Sequence, residues 1–185
     1  MSKTQENLLK AITGESLARN KYTFFAIKAR KEGYEGIARI FEETAGNEME
    51  HAERELEFTK GKVTTDGKLE IGPVGTTLEN LKAAAEGEKH EWSAMYPDFE
   101  KEAEEEGENE IAKIFKEIGE VEEKHEERYT ALAKHVKEDS LFKRDAEIEW
   151  KCLNCGYVHK GEEAPDTCPA CGKPQGWYEP RVKNW

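Results

Sequence analysis

The sequence has 185 residues, no cysteine before residue 152 and no apolar run near the length of a membrane-spanning helix. Basic residues are outnumbered: 28 lysines and arginines face 40 aspartates and glutamates, for a formal net charge of −12. Because no basic patch offsets phosphate repulsion, this composition argues against nucleic-acid and anionic-membrane partners. The first 30 residues carry charges throughout and do not form a signal-peptide pattern, so we expect a cytoplasmic protein.

The length suffices for one ordinary domain and a small second one. All four cysteines lie after residue 150, in two Cys-x-x-Cys pairs. In a reducing compartment such pairs indicate a metal site rather than disulfides. We predict a helical domain over residues 1–140, a linker over 141–149 and a four-cysteine domain over 150–185.

Apolar residues recur at helical spacing through the first 138 residues, which predicts four bundle helices at about 4–32, 36–60, 76–105 and 108–138. The segment from Gly61 to Pro73 is rich in glycine and threonine, and predicts a crossover loop that carries the chain to the far end of the bundle. Pro97 lies inside the third segment, where it removes a backbone hydrogen bond. We therefore expect a kink or break just after Glu88 and Glu91.

Two Glu-x-x-His motifs lie on apolar seams of the predicted helices. Glu48 and His51 belong to the second helix, and Glu122 and His125 continue the fourth-helix seam that contains Phe115. Such seam positions face the bundle core, where a buried carboxylate must be paired or bound to metal.

A lone seam glutamate precedes each motif: Glu15 lies 33 residues before Glu48, and Glu88 lies 34 residues before Glu122. Two glutamates plus two Glu-x-x-His motifs are the ligands of a carboxylate-bridged dinuclear centre in a four-helix bundle. Most glutamates of a charged chain are simply solvated, so the interpretation depends on the shared register. Oxygen-rich ligation with one imidazole per metal suits iron or manganese better than zinc or copper.

Two tyrosines, Tyr22 and Tyr96, follow the lone glutamates by about two turns on the same helix face. They are equally well interpreted as ordinary core aromatics or as hydrogen-bonding neighbours of the metal site.

The cysteines form two knuckles, Cys152-x-x-Cys155 and Cys168-x-x-Cys171, separated by twelve residues and each followed by glycine. This spacing closes a tetrahedral four-sulfur site. A structural zinc site and a mononuclear iron electron carrier share these ligands, so the spacing leaves the metal open. A unit of about 35 residues does not fold without one of them.

Taken together, these motifs resemble the rubrerythrin family, in which a ferritin-like domain precedes a rubredoxin-like domain. The resemblance covers nearly the full length and implies a mainly α fold: a ferritin-like four-helix bundle with a small C-terminal rubredoxin-like four-cysteine domain. Leu17 departs from the glutamine expected in many relatives. The matching segments are Gly14-Glu15-Ser16-Leu17-Ala18-Arg19-Asn20-Lys21-Tyr22, Glu48-Met49-Glu50-His51, Glu88-Lys89-His90-Glu91-Trp92-Ser93-Ala94-Met95-Tyr96-Pro97, Glu122-Glu123-Lys124-His125, Cys152-Leu153-Asn154-Cys155-Gly156-Tyr157 and Cys168-Pro169-Ala170-Cys171-Gly172.

The resemblance implies a non-haem di-iron peroxidase that reduces hydrogen peroxide to water. Electrons would come from reduced pyridine nucleotide through separate donors, such as rubredoxin or a pyridine-nucleotide-dependent reductase. The implied cofactors are two non-haem irons in the bundle and one iron on the four cysteines, where zinc is possible after heterologous expression. The implied ligands of the oxidised di-iron centre are Glu15, Glu48, Glu88, Glu91, Glu122 and His125.

The resemblance also implies that His51 replaces Glu91 at one iron on reduction, with Glu48 and Glu122 bridging. Tyr22 would donate a hydrogen bond near the centre, as would Tyr96. Two other functions stay open: a ferritin-like ferroxidase or iron store, and a scaffold with a structural zinc ribbon.

Distance predicts an assembly. Ser140 lies 18 residues after Glu122, so the fourth helix carries the chain about 27 Å from the di-iron centre. A nine-residue linker extends at most about 30 Å, and nothing in its sequence forces it to turn back. We therefore expect a head-to-tail homodimer in which each four-cysteine unit lies beside the partner's di-iron site.

Overall fold

The computed structural model describes residues 2–61 and 72–183. Its helical part consists of α1 (Lys3–Lys31), α2 (Glu35–Leu56), α3 (Thr77–His90), α4 (Tyr96–Glu105) and α5 (Asn109–Lys137). Helices α3 and α4 are joined by a π-helical segment, Glu91–Met95, and together form the third arm of a four-helix bundle. Within these described ranges, no helix is both long enough and apolar enough to cross a membrane.

The predicted break in the third helix is this π segment. It begins at Glu91, and Pro97 falls in the first turn of α4, where a missing N–H costs least. A π turn accommodates one extra residue without ending the helix. The third arm therefore changes its register between Glu91 and Tyr96.

Carboxylates at helix ends show how the arms are arranged. Glu32, at the end of α1, accepts hydrogen bonds from the backbone N–H and the hydroxyl of Thr77, at the start of α3. Glu106, at the end of α4, does the same for Thr4 at the start of α1. The start of α3 thus lies at the bundle end where α1 stops, as a crossover requires. Most of the predicted crossover loop, 62–71 of 61–73, lies outside the described residues.

Within the described residues, the helical bundle has two apolar core clusters, and both contain packed aromatic rings. The Phe41 and Tyr129 rings lie 5.2 Å apart in one cluster, and the Phe99 and Phe115 rings 5.5 Å apart in the other. Such pairs contribute about 0.5–1.5 kcal/mol beyond their buried area. Together the two clusters bury apolar residues from all four arms. The polar seam residues between the clusters are therefore shielded from bulk water.

The C-terminal unit is a three-stranded antiparallel sheet in the order β2-β1-β3, with β1 at Lys143–Cys152, β2 at Val158–Glu163 and β3 at Tyr178–Pro180. The segment predicted as a linker, 141–149, overlaps β1 from Lys143 onward. The charged side chains in the first part of β1 are largely exposed, and this part of the sequence shows no strand-like apolar alternation. Trp150 anchors the unit: it is fully buried, and its indole N–H donates to the Gly161 carbonyl at 3.0 Å.

This sheet unit packs on the end of its own bundle, at the turn between α1 and α2. That turn is made by Gly33, with φ of 88°, and a Cβ added to Gly176 would overlap the Gly33 carbonyl oxygen. The Arg39 guanidinium lies 5.6 Å above the Trp177 ring. Within one chain, the four-cysteine unit is therefore positioned at an end of the bundle rather than beside its middle.

Candidate metal centres

Six of the predicted ligands form a single cluster in the middle of the bundle. Two sets of four residues each have ligand atoms within 4.8 Å of one another. The first set is Glu15, Glu48, His51 and Glu122, and the second is Glu48, Glu88, Glu122 and His125. Glu48 and Glu122 belong to both sets, which is the arrangement of two bridging carboxylates.

Helix geometry explains the cluster. Each Glu-x-x-His pair lies at i and i+3 on one helix face, so both side chains of a pair point into the core. His51 Nδ1 lies 2.9 Å from Glu122 Oε1, and His125 Nδ1 lies 2.6 Å from Glu122 Oε2. Each imidazole therefore faces the shared carboxylate.

The electrostatics of the cluster fit metal cations. Glu15, Glu48, Glu88 and Glu122 are at most 1% exposed. Burial, followed by the charge of Glu91, raises the pKa of both Glu15 and Glu88 well above the usual range. Among the residues that the structure describes, Glu15 Oε2, Glu48 Oε1 and Glu88 Oε2 have no hydrogen-bond partner. Buried carboxylates in this condition are strongly destabilising unless cations or metals compensate them, so the donors present suit two hard metal ions.

Two tyrosines connect the halves of the bundle. The hydroxyl of Tyr22 donates a short hydrogen bond to Glu88, and that of Tyr96 donates one to Glu15. Each tyrosine therefore reaches the lone glutamate of the opposite half. Burial, then the nearby glutamates, raises both phenol pKa values well above 10, which keeps the hydroxyls protonated as donors. Both interpretations from the sequence apply, because the rings also belong to the apolar clusters.

Glu91 lies next to the cluster but in neither set of four. Its Oε1 is 4.0 Å from the position that a Cβ on Gly14 would occupy. Burial, followed by the charge of Glu122, raises the pKa of Glu91 to about 8. His51 occupies the first set instead, which is the arrangement that the resemblance implies for the reduced centre. The exchange between Glu91 and His51 stays a prediction.

Two polar neighbours of the cluster were not predicted from the sequence. Glu55 is fully buried and accepts a hydrogen bond from the Tyr96 hydroxyl at 3.2 Å, and burial raises its pKa to about 8. The Asn47 amide lies 3.2 Å from Nε2 of His125, the ring nitrogen that faces away from Glu122. A contact there fixes the ring orientation. Glu55 lies four residues after His51, so the helix face offered a signal for it, whereas nothing marked Asn47.

The four cysteines converge as the knuckle spacing predicts. The Sγ atoms of Cys152 and Cys171 are 3.8 Å apart, and those of Cys155 and Cys168 are 3.7 Å apart. A tetrahedron with metal–sulfur bonds of about 2.3 Å has edges of about 3.8 Å, so the site fits a metal ion.

Glycine closes each cysteine knuckle. Gly156 has φ of 78° and donates its N–H to the Cys152 carbonyl at 2.9 Å. Gly172 has φ of 72° and donates to the Cys168 carbonyl at 2.8 Å. These left-handed conformations favour glycine over any residue with a Cβ.

Comparison with known proteins agrees with this geometry at both ends of the chain. Residues 6–133 match the rubrerythrin family, and residues 150–179 match the rubredoxin-like domain of rubrerythrin. The chain belongs to the rubrerythrin family. It is 52% identical to rubrerythrin of Porphyromonas gingivalis, over the whole of this chain and 92% of that protein. It is 45% identical to rubrerythrin of Nitratidesulfovibrio vulgaris, over the whole chain and 97% of the relative.

Solved structures give the same result for the fold. A structure titled as the fully reduced, all-ferrous state of nigerythrin has a TM-score of 0.66 and 36% identity. The alignment covers 98% of this chain and 88% of that one. The predicted fold class, a ferritin-like bundle with a rubredoxin-like domain, is confirmed.

Membership of the rubrerythrin family settles the class of protein and its cofactors. Rubrerythrins are oxidoreductases of oxidative-stress defence, and they use peroxide and rubredoxin-like electron donors. The carboxylate–histidine cluster is a di-iron site, and the four cysteines form a rubredoxin-type iron site. The domain boundaries and the ligand role of each single residue stay predictions.

Proposed function

We propose that this protein is a peroxidase that reduces hydrogen peroxide to water. The observation that carries the proposal is the pair of ligand sets that share Glu48 and Glu122, with a further carboxylate, Glu91, beside them. When bound, the two irons would supply two electrons, and the overall reaction is H2O2 + 2 H+ + 2 e− → 2 H2O. A store of iron needs neither Glu91 nor an attached four-cysteine unit.

The side chains would divide the work between ligation and orientation. Glu15 and His51 would hold one iron, and Glu88 and His125 the other, between the shared carboxylates. Tyr22 and Tyr96 orient the lone glutamates through hydrogen bonds while keeping their own protons. The aromatic clusters on either side of the site exclude bulk water, which strengthens electrostatic interactions within it. In this proposal His51 and Glu91 alternate as ligands, because an imidazole suits ferrous iron and a carboxylate suits ferric iron.

The four-cysteine unit would act as a one-electron relay from a rubredoxin or a pyridine-nucleotide-dependent reductase. Replacing its iron with zinc should abolish donor-driven turnover, because zinc has no redox chemistry. A chemically reduced bundle should still complete a single turnover with peroxide in the zinc form. Equal steady-state rates for the two forms would mean that the unit is only structural.

The relay requires a partner chain. The sheet unit also contacts its own bundle at Gly36, which is 12 residues before Glu48 and hence about 18 Å along α2. Electron transfer weakens steeply with distance, so we propose a head-to-tail homodimer that brings each four-cysteine site beside the partner's di-iron site. The cytoplasmic location stays a prediction from the sequence.

Complementation tests the assembly. One chain type would lack the bundle ligands Glu48 and Glu122, and the other would lack Cys152 and Cys155. Heterodimers should regain donor-driven peroxidase activity, because one chain contributes an intact four-cysteine site and the other an intact di-iron site beside it. Inactive heterodimers with both intact sites loaded would mean that electrons pass within one chain.

Stopped-flow oxidation of the reduced protein tests the activity itself. Peroxide should oxidise the bundle iron faster than dioxygen does, with water as the product and no iron mineral. Preference for dioxygen with accumulation of mineral would instead support a ferritin-like ferroxidase. Failure of the iron-loaded protein to turn over either oxidant would support a scaffold.

A further inference from the structure

A cavity of about 170 Å³ opens between α1 and α3, next to the metal cluster. At about 30 Å³ for each water in the liquid, this volume accommodates a few small molecules. The sides of the cavity are partly polar. The lining residues on which the inference depends are Gly14, Ala18, Lys21, Tyr22, Gly87 and Glu91.

Two of these residues are glycines inside helices, where glycine costs about 1 kcal/mol relative to alanine. Gly14 precedes Glu15 and Gly87 precedes Glu88, so they hold equivalent positions in the internal repeat. Neither has a positive φ, so the backbone does not require glycine at either position.

Close packing does not require these glycines either. In the described part of the chain, the nearest atom to a Cβ at Gly14 would be Glu91 Oε1 at 4.0 Å. At Gly87 the nearest atom would be Lys21 Nζ at 3.9 Å. Both contacts are ordinary van der Waals distances, and both are to the ends of side chains that line the cavity. The effect of having glycine at Gly14 and Gly87 is therefore a larger cavity.

The inner wall of the cavity reaches the di-iron cluster. Tyr22 lines it and donates to Glu88, a member of the second ligand set. Glu91 lines it too, and its carboxyl oxygens can accept hydrogen bonds, while the Lys21 ammonium that also lines the cavity can donate them. Hydrogen peroxide is small and uncharged, and it both donates and accepts hydrogen bonds. The hydrogen-bonding groups of the cavity therefore suit hydrogen peroxide. The aromatic clusters on either side of the metal site are apolar and do not.

We propose that this cavity is the route by which peroxide reaches the di-iron site, and that Gly14 and Gly87 set the size of hydroperoxide that passes. The inference rests on the proposed peroxidase function and adds to it the substrate class: hydrogen peroxide and small alkyl hydroperoxides. Ala18 also lines the cavity, at the position equivalent to that of Glu91 in the other half of the repeat. Its small side chain leaves more of the cavity open than a glutamate would.

The test compares three alanine variants of the full-length protein: Gly14→Ala, Gly87→Ala and the control Gly46→Ala. Gly46 lies inside α2 and is exposed, and a Cβ there would meet nothing within 4 Å. All three changes alter helix propensity alike, but only the first two narrow the cavity. Single-turnover rate constants of the reduced proteins would be measured with hydrogen peroxide and with tert-butyl hydroperoxide.

We expect both cavity variants to lose about tenfold in rate constant with tert-butyl hydroperoxide, the scale of one excess methyl group in a pocket. The loss with hydrogen peroxide should be smaller, and the control should match the wild type with both. Gly14→Leu should slow both oxidants strongly. Iron content should stay constant, and Tm should rise as in the control, which separates a blocked route from misfolding.

A readout without turnover uses crystals in which redox-inert zinc replaces iron. Soaked with tert-butyl hydroperoxide, the wild type should show the molecule between Glu91 and Lys21, and Gly14→Leu should not. Rates of all variants equal to that of the control, or density at another face of the cluster, would overturn the route. Because the wild type would still reduce peroxide, that outcome would leave the peroxidase function intact. A wild type that does not react with peroxide would overturn both.

Discussion

The two halves of the bundle, α1–α2 and α3–α5, are built alike but not identically. Each half supplies one lone glutamate and one Glu-x-x-His motif, and each supplies a tyrosine to the lone glutamate of the other. The capping contacts repeat as well, since Glu32 holds the start of α3 and Glu106 the start of α1. The shared features build a symmetric dinuclear site.

The halves differ three residues after the lone glutamate. Ala18 follows Glu15 at that spacing, and Glu91 follows Glu88. Beyond it, the second half contains one extra residue: Tyr22 comes seven residues after its glutamate, and Tyr96 comes eight after its own. The π segment Glu91–Met95 absorbs this residue, so that Tyr96 still faces Glu15. The repeat therefore builds the ligand cage, and the replacement of alanine by Glu91 within it supplies the added carboxylate.

A second difference lies four residues after each motif histidine, where the first half has Glu55 and the second has Tyr129. Glu55 accepts a hydrogen bond from the Tyr96 hydroxyl. Tyr96 therefore contacts two carboxylates, Glu15 and Glu55, whereas Tyr22 contacts one. Each departure from the repeat can be removed separately by substitution.

The largest effect should come from the residues that both sites share. Glu48→Ala and Glu122→Ala each remove a ligand from both sets, so we expect both bundle irons to be lost. Glu15→Ala and Glu88→Ala each remove a ligand from one set and should weaken one iron site more than the other. The iron-to-protein ratio measures this, with the four-cysteine iron as an internal control. Two bundle irons retained in Glu122→Ala would contradict the shared arrangement.

The next largest effect should separate the tyrosines. Tyr96→Phe leaves Glu15 and Glu55 without their donor, and Tyr22→Phe leaves Glu88 alone. Each unsatisfied buried group costs about 1–3 kcal/mol, so Tyr96→Phe should lower the free energy of unfolding more. Urea unfolding of the two variants, each with its iron content checked, measures the difference. Equal losses would mean that the Glu55 contact contributes nothing.

The smallest effect concerns the repeated caps. Hydrogen bonds from the Thr4 hydroxyl and backbone hold the Glu106 pKa at about 2, below its ordinary value. A carboxylate with a depressed folded pKa stabilises fully above its unfolded pKa, and loses this contribution as pH falls through the folded value. The Tm deficit of Glu106→Gln should therefore be largest above about pH 4.5 and shrink towards pH 2.

Glu32→Gln is the matched variant in the other half. The Glu32 pKa is also lowered: burial opposes the shift, but the hydrogen bonds from Thr77 outweigh it. The sign of its pH dependence should be the same. A Tm deficit that does not vary with pH in either variant would show that the caps act without their charge.

The ligand cage could be predicted from the sequence because helical periodicity and the Glu-x-x-His register are local patterns that repeat. The cysteine site could be predicted for the same reason, since each knuckle with its closing glycine is five residues of local geometry. Even the break near Pro97 followed from proline chemistry. Each of these signals lies within a short segment of the chain, although the segments themselves are far apart in the sequence.

The rest depends on tertiary contacts or on weak local signals. Nothing in the spacing shows that Tyr22 and Tyr96 reach across to the opposite half, because those hydrogen bonds span 66 and 81 residues. Glu55 is one glutamate among many on a charged helix, and only burial distinguishes it. The first residues of β1 are exposed and charged, so their strand follows from pairing with β2 rather than from an apolar alternation.

The most direct test of the central claim is Glu91→Ala, which gives the second half the alanine that the first half has at Ala18. Iron content and peroxide turnover would be measured on the same preparations. We predict a folded bundle that keeps both irons but reduces hydrogen peroxide at least about tenfold more slowly, or about 1.4 kcal/mol in the barrier. Unchanged turnover at full iron loading would contradict the account, because the added carboxylate of the second half would then have no part in the reaction.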